Sequence, residues 1–213
     1  MSIEDPTHRT VAYYDQSAND FWQGTKGHNV KQNYEALLGA IGDGGVAPPY
    51  TILDVGCGPG RDLAYFKSLG HEAIGLDASQ SFVEHARNLT GCTVLQQNFM
   101  DMDLPLGAFH GIFANASLFH VPSDNLPGVL KQLSDALKPN GVLFSSNPRG
   151  SNQEGWQGDR YCVFHDYTVW TNFMSRADFI EIHHYYRPEG QPREQQPWLA
   201  SVWRKAGLQP MNI

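Results

Sequence analysis

Thr51-Ile52-Leu53-Asp54-Val55-Gly56-Cys57-Gly58-Pro59-Gly60 runs a short apolar segment into three alternating glycines, and a helical pattern starts directly after them. Thr51 to Val55 is too short for a helix and reads as a buried strand. Asp62 to Leu69 then places Leu63, Phe66 and Leu69 at helical spacing before Gly70 ends the run. The glycines between strand and helix allow a tight turn and a close approach of backbone to a ligand, and the following helix start offers unpaired N–H groups.

Working outward, the rhythm repeats. Glu72 to Leu76 reads as a second strand, and Ser79 as the N-cap of a helix with Phe82, Val83, Ala86 and Leu89 on its apolar stripe. Thr93 to Leu95 is a third strand and Phe109 to Asn115 a fourth. A helix from Leu126 to Leu137 and a strand from Gly141 to Ser146 follow. Such alternation predicts an α/β fold, a mostly parallel sheet with helices on both faces. From Asn147 to about Tyr161 the chain reads as a polar loop, then as a short helix from Thr168 to Met174 or Ala177. Two last strands, Ile180 to Tyr186 and Trp198 to Trp203, make seven. The segment joining them, Arg187 to Pro197, has three prolines and is too short for a crossover helix, so the last pair is expected to be antiparallel. Upstream, Gly42 to Pro49 is the clearest linker. It divides an aromatic-rich helical segment, 1–45, from a core, 46–213, within one domain.

Composition narrows the function classes. The chain has 213 residues, 41% of them hydrophobic, and a formal charge of −7, a poor footprint for holding nucleic acid. Cys57, Cys92 and Cys162 are widely spaced and match neither a disulfide framework nor a zinc pattern. Met1 to Asp5 has no basic or apolar leader character, and no run approaches a membrane span, so a cytoplasmic protein without membrane partners is expected. His183 and His184 are adjacent on a strand and point to opposite faces, and His165-Asp166 is only a pair, so no metal is expected.

Asp77 ends the second strand, where a carboxylate can accept both hydrogens of a ribose diol or simply cap the next helix. A dinucleotide loop wants its third glycine at position 61, which is Arg, and no phosphate-loop Lys-Ser/Thr follows. Ile52 to Gly60 instead resembles motif I of class I S-adenosylmethionine-dependent methyltransferases, and Gly75-Leu76-Asp77-Ala78-Ser79 resembles their second motif. The likeness runs from Thr51 to Phe144, through Gln97-Asn98-Phe99, Phe113-Ala114-Asn115 and Leu137 to Leu143. It implies a Rossmann-like seven-stranded sheet with an antiparallel last strand and an N-terminal helical lid. It also implies Asp54, Gly56, Gly58 and Gly60 under the methionyl part, Asp77 at the ribose, and Asn98 and Phe99 at the adenine, with Cys57 and Ala78 as further cofactor contacts unless Cys57 is only a small filler of the loop. Ala114 would lie beside the cofactor. Asn98 departs from the commoner Asp, and Phe99 reads equally as core. The lid would bring Tyr14 to the cofactor and Trp22 and His28 to the acceptor, unless these aromatics merely pack on the sheet edge.

Methyl transfer from a sulfonium is an in-line displacement and gains much from positioning. His120, after strand four, is the candidate general base, or a structural histidine. Asn147, Arg149 and Tyr161, in the loop after strand five, are candidate acceptor contacts, with Arg149 suited to a carboxylate. The resemblance implies S-adenosylmethionine as cofactor, S-adenosylhomocysteine as product, and transfer to N, O or S of a small acceptor by a monomer or homodimer. A non-catalytic protein that binds the cofactor, and an NAD-dependent oxidoreductase, are the other readings.

Overall fold

Neighbouring strand residues point to opposite faces of a sheet, and here both faces are buried. On β1 (Thr51–Val55), Ile52 packs with Leu37, Ile41, Leu63 and Phe66, while Leu53 and Val55 pack with Leu130, Leu133 and Trp203. The structure is a computed structural model and describes residues 6–207. Residues 1–5 and 208–213, the outer ends of the two spans read above, lie outside the described residues, as does the reading of Met1 to Asp5.

Two helices, α1 (Pro6–Thr25) and α2 (Lys31–Asp43), precede β1. Then come α3 (Arg61–Ser68), β2 (Glu72–Asp77), α4 (Gln80–Thr90), β3 (Thr93–Gln96), β4 (Phe109–Asn115), α5 (Leu126–Ala136) and β5 (Leu137–Pro148). The chain closes with β6 (Gln153–Gln157), β7 (Arg160–Phe164), α6 (Tyr167–Arg176), β8 (Phe179–Arg187) and β9 (Trp198–Lys205). One seven-stranded sheet runs β3-β2-β1-β4-β5-β9-β8. It is parallel from β3 to β5, and β9 is antiparallel to both β5 and β8, as the sequence predicts. From β1 the chain winds outward through β2 and β3, then crosses back to β4 on the other side. The carboxyl ends of β1 and β4 therefore diverge at a switch point, the place where open α/β sheets bind ligands.

Two readings change. The stretch from Asn147 to Tyr161 is not simply a loop: β6 and β7 pair as an antiparallel hairpin outside the main sheet, with Trp156 opposite Tyr161. The turn is Gly158-Asp159, with Gly158 at φ 63°, a known hairpin signal. On the hairpin only Cys162 and Val163 are buried, so the alternation that marks a half-buried strand is missing. The two N-terminal helices also differ in role. α2 packs its Leu37 and Ile41 into the core, and a Cβ on Gly111 of β4 would meet Ile41 Cδ1 at 2.7 Å. Only α1 lies across the carboxyl edge. Among the described residues, no helix is long and apolar enough to cross a membrane.

Under the β5–β9 ladder, the Ser201 hydroxyl is fully used. It accepts from Trp170 Nε1 (3.1 Å) and Trp203 Nε1 (2.8 Å) and sits 3.0 Å from Ser145 Oγ, to which it can donate. Ser201→Ala strands two buried indole N–H groups. Each unsatisfied buried group costs about 1–3 kcal/mol, so a loss of about 2–4 kcal/mol is expected in a denaturant titration. A loss below roughly 0.5 kcal/mol, the size of an ordinary surface change, would contradict this account of the network.

Candidate cofactor and acceptor site

The loop after β1 is stitched to the end of β2. Gly56 N and Cys57 N both donate to Leu76 O, at 2.7 and 3.1 Å. Asp77 fixes the second seam: its carboxylate accepts from Gly58 N and Ser79 N, each at 2.9 Å. Burial pushes that carboxyl up to about 6, against the pull of these N–H groups. Gly56 has φ +71°, and a Cβ there would lie 2.4 Å from Ser117 Cβ. Gly60 has φ +96° and packs on Ala86 of α4, whereas a Cβ on Gly58 would meet nothing closer than Phe21, 3.8 Å away. Gly58 is thus the point where the backbone is bare toward a ligand. Cys57 packs over Gly75, and burial with three nearby carboxylates holds its thiol well above the usual range, so it is a filler rather than a thiolate.

Beneath the loop lies an acidic network. Asp62 accepts two bonds from Arg61 (Nε 2.6 Å, Nη2 2.9 Å) and one from Tyr34 Oη (2.5 Å), and Asn115 Nδ2 approaches at 3.3 Å. Asp54 is buried behind it with Oδ2 unpartnered, its carboxyl held well above the usual range by burial and by Asp62.

A cavity of about 660 Å³ opens between this loop, the ends of β2 and β4, and α1, a usual size for a small-molecule site. Gly56, Cys57, Gly58, Asp77, Ala78, Asn98, Phe99, Tyr14, Trp22, His28 and His120 line it. Six residues singled out in the sequence do not. Asp54 and Gly60 lie beneath the loop, and Ala114 points into the opposite core layer while its neighbour Asn115 reaches the cavity. Asn147 likewise turns away from its neighbour Ser146, into a small space behind Phe119. Arg149 donates to the carbonyls of Gln196 (2.7 Å) and Arg193 (2.5 Å), so it braces the β8–β9 connection instead of holding a ligand. Tyr161 donates its hydroxyl to Glu154 at 2.8 Å, on the hairpin.

α1 closes the cavity from above. Asp15 Oδ1 accepts from Ser79 Oγ (2.6 Å) and Ser81 N (3.0 Å), and Thr25 O accepts from Arg61 Nη1 (3.1 Å). Thr10 Oγ1 accepts from Tyr161 N (2.9 Å), and Asn98 Nδ2 donates to Thr7 Oγ1 (2.9 Å). Asn98 Oδ1 already accepts from Met100 N at 3.0 Å, which leaves one lone pair for an adenine. At the centre, Tyr14 Oη is 2.8 Å from His120 Nε2, and His120 Nδ1 is 2.7 Å from Tyr161 O. A carbonyl only accepts, so Nδ1 carries the proton and Nε2 accepts from the phenol. Burial, with help from the Arg160 charge, pulls the imidazole down to about 4.

A sequence-family profile described as a methyltransferase domain matches residues 52–141, the span that builds this glycine loop, Asp77 and β4. Over this span the chain is similar to known methyltransferase domains, in keeping with its resemblance to the class I S-adenosylmethionine-dependent methyltransferases. Over 109 residues it is 34% identical to the sterol 24-C-methyltransferase of Yarrowia lipolytica, a match covering 46% of this chain and 28% of that protein. It is 26% identical over 172 residues to the trans-aconitate 2-methyltransferase of Yersinia pestis, covering 78% of this chain and 64% of that one. The chain thus spans less than two thirds of these curated relatives. In fold it is similar to the 1,6-didemethyltoxoflavin-N1-methyltransferase of Burkholderia thailandensis, solved with 1,6-didemethyltoxoflavin and S-adenosylhomocysteine bound. The TM-score is 0.71 at 19% identity, over 97% of this chain and 92% of that one.

S-adenosylmethionine, the cofactor that the sequence resemblance implies, suits the residues present. Its ribose diol needs an acceptor carboxylate, its adenine an apolar face, and its cationic methionyl end an acidic surround. Asp77 and Phe99, which line the cavity, would meet the first two needs, and Asp62 at the foot of the glycine loop the third, with the unpartnered Asp54 Oδ2 behind it. Phe119, Arg160, Arg187 and Trp198 also line the cavity and carried no local signal, because they come from four distant parts of the chain.

Proposed function

We propose that this chain transfers a methyl group from S-adenosylmethionine to a nitrogen, oxygen or sulfur atom of a small acceptor. One observation carries the reading: a single cavity joins the cofactor-type residues Gly58, Asp77 and Phe99 to a second set, Trp22, Phe119, Arg160, Arg187 and Trp198, for which the cofactor has no need. The net charge of −7 favours a diffusible acceptor over nucleic acid.

When bound, the cofactor supplies a methyl group activated on a sulfonium. The chain's own task is to bring an acceptor lone pair into line with it and keep water out, which supplies much of such an acceleration. α1 does the excluding, held over the cavity by Asp15, Thr10 and Tyr14. His120 serves better as a positioning residue than as the expected base. Its one lone pair is taken by the Tyr14 hydroxyl, and an imidazole at about 4 has little affinity for a proton at neutral pH. The acceptor therefore enters with its lone pair already free.

Tyr14→Phe is expected to weaken S-adenosylhomocysteine binding by roughly three- to tenfold, the worth of one hydrogen bond. His120→Phe should do the same, and the double variant should be no worse than either, because both remove one clasp. Additive losses would contradict the clasp, and an inflection near pH 6–7 that vanishes with His120 would restore it as a base. Turnover itself is tested by incubating the protein with S-adenosylmethionine and a collection of small acceptors and following S-adenosylhomocysteine and methylated product by mass spectrometry. Matched amounts of both support the reading. Tight cofactor binding with no turnover across chemically broad acceptors would favour a regulatory role.

A further inference from the structure

The cations of this chain are mostly spoken for. Arg9 pairs with Asp159, Arg61 with Asp62 and Lys131 with Asp135, while Arg149 and Arg204 donate to backbone carbonyls. Two arginines on the cavity wall differ. Arg187 makes a single bond, Nη2 to Asn29 O at 2.7 Å. Arg160 lies over the Tyr13 ring, 5.3 Å from its centroid, beside the Tyr14 hydroxyl. Among the described residues neither has a carboxylate within ion-pair distance, so most of the five N–H donors on each are left without a protein acceptor. The carboxylates that line the cavity, Asp62 and Asp77, are both at the glycine loop, one tied to Arg61 and the other to backbone N–H groups.

The cavity that the two arginines line also carries aromatic rings. Arg160 begins β7, whose Tyr161 carbonyl holds His120. The Phe119 ring lies 4.0 Å from His120 and 6.4 Å, edge to face, from Trp198, which pairs with Arg187 across the β8–β9 ladder. A half-buried guanidinium with most of its donors unmet is costly, and the planar fork matches a carboxylate. Flat rings on the same wall favour a flat skeleton.

We propose that the acceptor is a small planar carboxylate, gripped through its anionic oxygens by Arg187 and Arg160 and lying against Phe119 and Trp198. The proposal rests on the methyl-transfer reading and adds the class of acceptor to it.

The test titrates protein saturated with S-adenosylhomocysteine against matched probes: benzoate, benzamide and phenyl phosphate, then 2-furoate with its amide, and acrylate with its amide. The carboxylates are expected to bind at least about tenfold more tightly than their amides, the worth of a charge-assisted hydrogen bond. Arg187→Gln should weaken the carboxylates at least about tenfold, Arg187→Lys by less. The affinity for S-adenosylhomocysteine, measured in the same variants, should stay within about twofold and so report an intact fold. The proposal is overturned by amides binding as well as carboxylates, by phenyl phosphate binding more tightly than benzoate, by an Arg187→Gln variant with unchanged carboxylate affinity, or by no carboxylate binding at millimolar concentration. Loss of S-adenosylhomocysteine binding in the unaltered protein would strike at the methyl-transfer reading instead, and the carboxylate series is then read in its absence.

Discussion

Asp77→Ala is expected to cut S-adenosylhomocysteine affinity by roughly ten- to hundredfold while the protein stays folded. The carboxylate has two tasks, and alanine ends both. On the proposed reading it offers a charged acceptor to a ribose diol, worth about 1.5–3 kcal/mol, and it ties Gly58 N to Ser79 N across the two turns that shape the cavity. Asp77→Asn keeps an acceptor oxygen and should lose less. The same carboxyl predicts a pH dependence. With its folded value near 6, the ionised form that accepts the hydroxyls is displaced by protons as pH falls through about 6. Affinity should then drop about tenfold per unit below that point in the unaltered protein and stay flat in Asp77→Asn. Stability without ligand moves the other way. A carboxyl raised from 3.8 to about 6 binds its proton better folded than unfolded, so its contribution is present below 3.8 and is lost as pH rises through about 6. Affinity that is constant from pH 5 to 8, or an unchanged affinity in a folded Asp77→Ala, would remove this residue from the site.

Gly56→Ala should do still more damage, although it adds one methyl group. At φ +71° an L residue pays about 1–2 kcal/mol, and the new Cβ would stand 2.4 Å from Ser117 Cβ and 3.1 Å from Phe99 Cζ. Relief requires the loop to back away from β4, at a further cost of about 1–3 kcal/mol. A melting temperature lowered by roughly 5–15 °C, with cofactor binding lost beyond about hundredfold, is expected. Gly58→Ala is the useful contrast: its Cβ has room, so the fold should suffer only the backbone strain while the ligand meets the added methyl. Equal effects on stability from both changes would mean that contact with Ser117 does not matter.

The order in which the molecule is legible follows from how its information is stored. β1, β2 and β4 are largely buried on both faces, so they read as short, mostly apolar runs, and the candidate cofactor edge is written contiguously in Asp54 to Gly60 and at Asp77. The β6–β7 hairpin buries little beyond Cys162 and Val163, and its residues therefore carry no alternation to read. Ala114 and Asn147 show a subtler limit. Each stands one residue from a cavity position, Asn115 and Ser146, and a shift of one on a strand turns a side chain to the other face. Arg149 has the right chemistry for an anion but is spent on carbonyls, whereas Arg160 and Arg187, unremarkable in sequence, reach the cavity only because α1, β7 and β8 converge there. The lid was legible as aromatic helices, but nothing local distinguishes α1, which covers the cavity, from α2, which packs into the core.

The most direct test of the central claim is isothermal titration calorimetry of the purified protein with S-adenosylhomocysteine, run beside NAD under the same conditions. Saturable one-to-one binding of S-adenosylhomocysteine with none of NAD is the predicted result, in keeping with Arg61 where a dinucleotide loop needs glycine. Binding of NAD with no affinity for S-adenosylhomocysteine would contradict it.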